Sequence, residues 1–184
     1  MNIKSDKGFT LVELLITVAL IGILAAIATM SLDIIKKNRL TAASKELYAD
    51  LQKIRQDALT RSTAASSRGF GIRFTSTTAY TLFEFNDIDG DFNYDGTGEE
   101  AGSRQTTLPG SVTVTIGDFT TSPANTTYIR IYDKRGMMRT TAWSSATGLT
   151  YVLTLTGVSP ARCISISEVR IREGIWNGSE CSQS

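Results

Sequence analysis

The chain opens on a nearly unbroken apolar run. From residue 9 to residue 30 the only ionisable side chain is Glu13, and the run matches the ~20 residues a helix needs to cross a bilayer. The pattern changes at Asp33. From there Ile34, Ile35, Leu40, Ala43, Leu47, Leu51, Ile54 and Ala58 recur at three- and four-residue steps to about Arg61, with Lys36, Lys37, Arg39, Lys45, Lys53 and Arg55 largely off that stripe. No proline or glycine falls between Ile23 and Arg61. The two stretches therefore predict one continuous helix over about 10–61, apolar all round in its first, membrane-spanning half and amphipathic in its second.

Residues 60–67 read as a small-polar hinge (Ser62, Thr63, Ala64, Ala65, Ser66, Ser67), after which the period becomes two. Phe70, Ile72 and Phe74 alternate with Gly71 and Arg73, and residues 80–85 are rich in aromatic and β-branched residues, which predicts a hairpin. Val112, Val114 and Ile116 alternate with threonines, and residues 128–132 alternate again before the turn Asp133-Lys134-Arg135-Gly136, which leads into Met137 and Met138. Tyr151, Leu153 and Leu155 mark a further strand, and Cys163, Ile164, Ile166, Val169 and Ile171 the last pair. Threonine-rich strands joined by Gly and Asp turns predict an antiparallel β domain. The expected class is α+β: a leader over 1–8, a membrane and assembly helix over 9–61 packed on a β domain over 62–184, with no internal repeat.

With 184 residues, 41% of them hydrophobic, and a net charge of +1, the chain has room for one membrane helix and one modest globular domain. The near-neutral balance gives no general pull towards nucleic acid. There is no histidine, which removes the commonest general base and metal ligand. The two cysteines, Cys163 and Cys181, read as one local disulfide in an oxidising compartment, worth roughly 3 kcal/mol. No nucleophile sits with a plausible base, and no glycine loop suits a phosphate. An enzyme is not expected, and the globular part is expected outside the cytoplasm.

The start of the chain is informative in detail. Lys4 and Lys7, offset by Asp6, look like the leader of an export signal. An ordinary signal is cut after its apolar core, whereas Gly8 precedes it, so a cut there leaves the apolar helix in the mature protein. Glu13 would cost about 2 kcal/mol or more deep in a bilayer. It either lies shallow enough to reach headgroup water or pairs with the α-amine that cleavage creates on Phe9 of a neighbouring copy, setting helix register.

Lys7-Gly8-Phe9-Thr10-Leu11-Val12-Glu13-Leu14 resembles the class III leader and first turns of type IV pilins and type II secretion pseudopilins. The resemblance implies a pilin-like fold, cleavage by a prepilin peptidase between Gly8 and Phe9, N-methylation of Phe9, and Glu13 as the family's assembly glutamate. Leu108-Pro109-Gly110-Ser111-Val112, Ile131-Tyr132-Asp133-Lys134-Arg135-Gly136 and Cys163-Ile164-Ser165-Ile166-Ser167 are similar to turns and strands of the GspH/FimT group of minor pilins and pseudopilins. Two departures stand out. The apolar half lacks the helix-bending proline of many pilins. Val169-Arg170-Ile171-Arg172 replaces a Gly-Arg-x-Arg, so the strand is expected to run on where relatives turn.

Two further sets carry candidate chemistry. In the acidic stretch containing Asp87, Asp89, Asp91, Asn93, Asp95 and Glu99, residues 91, 93, 95 and 96 take positions one, three, five and six of a calcium loop. Gly102 stands where the twelfth-position glutamate belongs. The stretch reads first as a solvated acidic hairpin loop and second as a weak Ca²⁺ site. Arg162, Arg170 and Arg172, joined by Arg130, Lys134, Arg135 and Arg139 if the strands converge, could meet DNA phosphates beside Trp143 or Trp176. The plainer alternative is a solvated face diluted by Glu168, Glu173 and Glu180. Arg170 and Arg172 are expected to share strand parity.

By resemblance, the chain is expected to be a minor pilin or pseudopilin, held in the inner membrane by one span with its β domain in the periplasm. It would assemble with other subunits into a type IV pilus or a type II secretion pseudopilus. A DNA-binding minor pilin and a major pilin are the alternatives.

Overall fold

The computed structural model describes residues 9–62, 67–117, 129–146 and 148–183, with backbone only for 27–31. Leader residues 1–8, including Lys4, Asp6, Lys7 and Gly8, hinge residues 63–66 and the strand residue Tyr128 lie outside the described residues. One helix, α1, runs over Leu11–Arg61, as the unbroken helix-forming sequence predicts. Two compact units divide at Lys37 and Asn38, so the second half of α1 belongs to the globular unit.

In the first unit, every side chain described over residues 9–26 is exposed. Among the described residues, no helix is long and apolar enough to cross a membrane; the apolar segment with described side chains stops at Ala26.

In the second unit, α1 and two five-stranded antiparallel sheets enclose the main core. The first sheet has the order β3-β2-β1-β5-β6, from β1 (Ser67–Ser76), β2 (Ala79–Asn86), β3 (Glu100–Thr107), β5 (Ile129–Asp133) and β6 (Met138–Arg139). The second has the order β10-β9-β8-β7-β4, from β4 (Thr113–Gly117), β7 (Leu149–Thr154), β8 (Arg162–Ile166), β9 (Ile171–Trp176) and β10 (Cys181–Ser182).

The apolar stripe of α1 is buried from Leu40 onward through Ala43, Leu47, Leu51, Ile54 and Ala58. It packs on Phe70, Ile72, Tyr80, Leu82 and Tyr132 of the first sheet and on Val114, Tyr151, Leu153, Ile164 and Ile166 of the second. Ile34 and Ile35 were expected on the same stripe but are 57% and 44% exposed. They belong to the first unit rather than to the globular one.

Two features were not read from the sequence, and one expectation changes. Strand β3 was not foreseen: Glu100–Thr107 has no apolar alternation because, at the sheet edge, most of its residues face water. The outer face of the first sheet is not solvated. Phe83, Phe85, Ile129 and Ile131, with Tyr94 from the loop above, form a second buried cluster there, and a Cβ at Gly71 would collide with the Phe83 ring. Finally, Val169 sits exposed in a turn rather than in a strand. Ser167 N–H donates to the Arg170 carbonyl at 2.8 Å, so the chain reverses between β8 and β9 and the run-on strand does not form.

One buried polar clamp joins helix to sheet. Asp50 accepts the Tyr80 hydroxyl at 2.8 Å and Arg104 Nη2 at 2.7 Å. Burial first, then the hydrogen bond to Asp50, pushes the Tyr80 phenol far above its ordinary pKa.

Candidate functional site

At the N-terminus, Thr10 caps α1. The Glu13 N–H lies 3.3 Å from Thr10 Oγ1 and 3.1 Å from its carbonyl, and Leu14 N–H donates to the same carbonyl at 3.2 Å. Thr10-x-x-Glu13 thus has the form of a capping box, with its acid in the first turn where the helix dipole favours a carboxylate. The sequence reasoning missed this local duty of Thr10, although the spacing was readable. Phe9 and the apolar side chains from there to Ala26 are exposed. Each buried aliphatic or aromatic side chain is worth about 1.5–3 kcal/mol, so this surface strongly favours a bilayer or neighbouring helices over water.

At the other end, Cys163 and Cys181 form a disulfide with Cα atoms 5.8 Å apart. It ties β10 to β8, and Gly174 makes room for it: a Cβ there would meet Cys181 Sγ and the Ser182 backbone.

The candidate phosphate-binding arginines do not converge. Arg162 pairs across to Ile175 and Arg172 to Ser165. Three positions separate them along β8, which puts them on opposite faces. Arg162 turns to α1, with Nη2 3.4 Å from Thr41 Oγ1, whereas Arg172 is exposed and sits beside Gln183. Arg170 precedes β9, so the expected shared parity with Arg172 is not a strand relation. Of the wider set, Arg135 and Arg139 both bond Asp133, at 3.2 and 2.9 Å. Burial opposes ionisation of Asp133, but the Met137 N–H and these arginines outweigh it and hold the carboxyl below its ordinary value.

The acidic loop is more built than a solvated connection. Asp87 is buried and accepts Arg68 Nε at 2.7 Å and Gly90 N–H at 2.9 Å. Burial again opposes its ionisation, and the Arg68 guanidinium with the Gly90 N–H overcomes it to keep the carboxyl low. Glu99, also buried, accepts the Asp95 N–H at 2.8 Å. The Tyr94 N–H donates to the Thr141 carbonyl at 2.8 Å, and its ring lies 5.4 Å from Phe83. The loop thereby lids the outer aromatic cluster, which neither the acidic composition nor the hairpin pattern signalled.

The carboxylates that converge differ from the calcium-like order. Asp87, Asp89 and Glu99 form one group and Asp89, Asp91 and Asp95 another, each offering one oxygen within 4.8 Å of the others. Asn93 spends its amide N–H on Asp91 at 2.9 Å. Asp89, Asp91 and Asp95 are exposed, and they are the carboxylates a hard cation could reach.

Comparison with known proteins gives two family matches. Residues 3–29 match the prokaryotic N-terminal methylation motif, and residues 43–169 match the type II transport protein GspH. The chain is also 53% identical over 47 residues to a type IV major alpha-pilin of Moraxella bovis, a stretch covering 25% of this chain and 30% of that protein. The chain thus spans about a third of the length of that relative. No solved structure matches.

Proposed function

This chain belongs to the type II transport protein GspH family, and on that premise we propose that it is a minor subunit built into a type IV pilus or a type II secretion pseudopilus through its N-terminal helix. A prepilin peptidase cuts between Gly8 and Phe9, Phe9 is methylated, and the apolar helix waits as a single span in the inner membrane with the β domain in the periplasm. On assembly the helix moves from lipid to the helices of other subunits. Glu13 then pairs with the α-amine of a neighbouring Phe9, while its backbone N–H stays with the Thr10 cap. The role is structural rather than enzymatic, in line with the family.

The observation that carries this reading is the exposed, largely apolar surface of residues 9–26, in which Glu13 is the only ionisable side chain, lying within the methylation-motif match. The test is the intact mass and N-terminus of the protein recovered from membranes. A chain starting at methylated Phe9 supports assembly; an uncut Met1 in cells with an active prepilin peptidase ends it.

Of the two alternatives, a major subunit draws support from the major alpha-pilin likeness alone. Duplex DNA capture is disfavoured by the opposite faces of Arg162 and Arg172. Salt-sensitive retention of duplex DNA, lost in Arg170→Ala with Arg172→Ala, would revive it.

A further inference from the structure

The outer face of the first sheet ends in apolar surface with no part in the proposed helix assembly. Ile88 and Phe92, at the tip of the acidic loop, are 72% and 43% exposed, and the Phe92 ring lies 6.3 Å from that of half-buried Trp143. Phe92 and Trp143 both hold positive φ, 66° and 52°, a conformation bulky side chains rarely keep unless the surroundings enforce it. Two aromatic residues from separate loops are thus held side by side at the surface. Exposed Asp89, Asp91 and Asp95 occupy the same loop. The neighbouring cation, Arg68, is already engaged by Asp87 at 2.7 Å and by the Phe92 ring at 4.1 Å.

The chain carries a surface of complementary character elsewhere. On α1, Lys36, Lys37 and Arg39 are exposed, and Leu32, Ile34 and Ile35 beside them are exposed apolar residues. We propose that the aromatic and acidic patch of one copy receives the basic, apolar-flanked segment 32–39 of a second copy. The carboxylates would face the ammonium and guanidinium groups, and the aromatic faces would take the aliphatic stems and the cations. Exposed ion pairs are individually weak, so the contact is an accessory one. It rests on the assembly reading above: packing of α1 holds two copies close, and the resulting effective concentration lets a weak contact form.

The test uses the full-length chain, as isotopically heavy and light copies bearing different tags, co-purified from the same membranes and treated with a carbodiimide that joins carboxylates directly to lysine amines. The expected products are heavy-to-light peptide pairs linking Asp89, Asp91 or Asp95 to Lys36 or Lys37. Their yield should fall about tenfold in roughly 0.5 M salt and severalfold in Arg39→Glu, which weakens the charge match but keeps both lysine amines; Lys36→Glu with Lys37→Glu removes the reacting amines and with them the product. Adding Asp91→Lys and Asp95→Lys to that variant should restore linkage with the polarity reversed. Phe92→Gly suits the positive φ and keeps every carboxylate, and it should lower the yield severalfold. Copies that co-purify and link elsewhere, but not between these groups, overturn the docking contact and leave assembly standing. Copies that fail to co-purify also overturn the docking contact, while the assembly reading is decided separately by the N-terminus of the recovered protein.

Discussion

Asp50 offers the sharpest test of how the helix is held to the sheet. Tyr80 is fully buried and its hydroxyl meets Asp50 at 2.8 Å, so Asp50→Ala strands a buried donor at a cost of about 1–3 kcal/mol. The lost bond to Arg104 adds only a few tenths, on the order of an exposed pair, because that arginine side chain is 56% exposed. The expected total is about 3 kcal/mol. Tyr80→Phe removes the donor while Asp50 keeps Arg104, and should cost about 1.5 kcal/mol. In the double variant no donor is stranded, so the loss should stay near 3 kcal/mol rather than reach the sum of about 4.5, a coupling of roughly 1.5 kcal/mol. Guanidinium unfolding of the full chain in detergent micelles, followed by tryptophan fluorescence and far-ultraviolet circular dichroism, reads all four corners of the cycle. In thermal melts Asp50→Ala should lower Tm by roughly 6–12 °C, at about 2–4 °C per kcal/mol for a chain this size. Additive costs would refute the clamp, and so would an Asp50→Ala variant within about 0.5 kcal/mol of the parent.

Three more outcomes follow from the same contacts. The bridge between Cys163 and Cys181 spans a sequence separation of 18, so Cys163→Ser with Cys181→Ser should lose about 3 kcal/mol, read as a shifted denaturant midpoint that added reductant does not move further. In acid, Asp87 and Asp133 have folded pKa values below their ordinary ones despite burial, because their hydrogen-bonded cations prevail. Their stabilisation is therefore complete above about pH 4 and is lost as the pH falls through the folded values. Asp133→Asn should cost roughly 2 kcal/mol at neutral pH and flatten the acid limb of a Tm-against-pH series, and an unchanged limb would count against Asp133. Calcium at about 10 mM, above the range of extracellular modules, should raise Tm in the parent and not in Asp89→Asn, since Asp89 belongs to both carboxylate groups; equal responses would dismiss the ion.

Where a residue acts through its neighbours in sequence, the chain alone determined the result. The apolar run with Glu13, the uninterrupted α1, the stripe from Leu40 to Ala58 and the hairpin of β1 and β2 all rest on helix or strand periodicity, which repeats every few residues and needs no partner to be recognised. The methylation motif matched over residues 3–29 is equally local. The Asp133 turn and the cysteine pair, close in sequence, were legible for the same reason. Tertiary structure decided what depends on which strand lies beside which. Register across β8 and β9 sent Arg162 inward and Arg172 outward, dissolving a stripe that residue spacing had suggested. Edge position made a strand of Glu100–Thr107 without apolar alternation. Folding of the acidic loop over Phe83 and Phe85 buried Asp87 and Glu99, and brought Phe92 to Trp143 across some fifty residues of chain. Such pairings are set by packing between distant segments, and a hydrophobic pattern specifies which face of an element is buried without specifying what buries it.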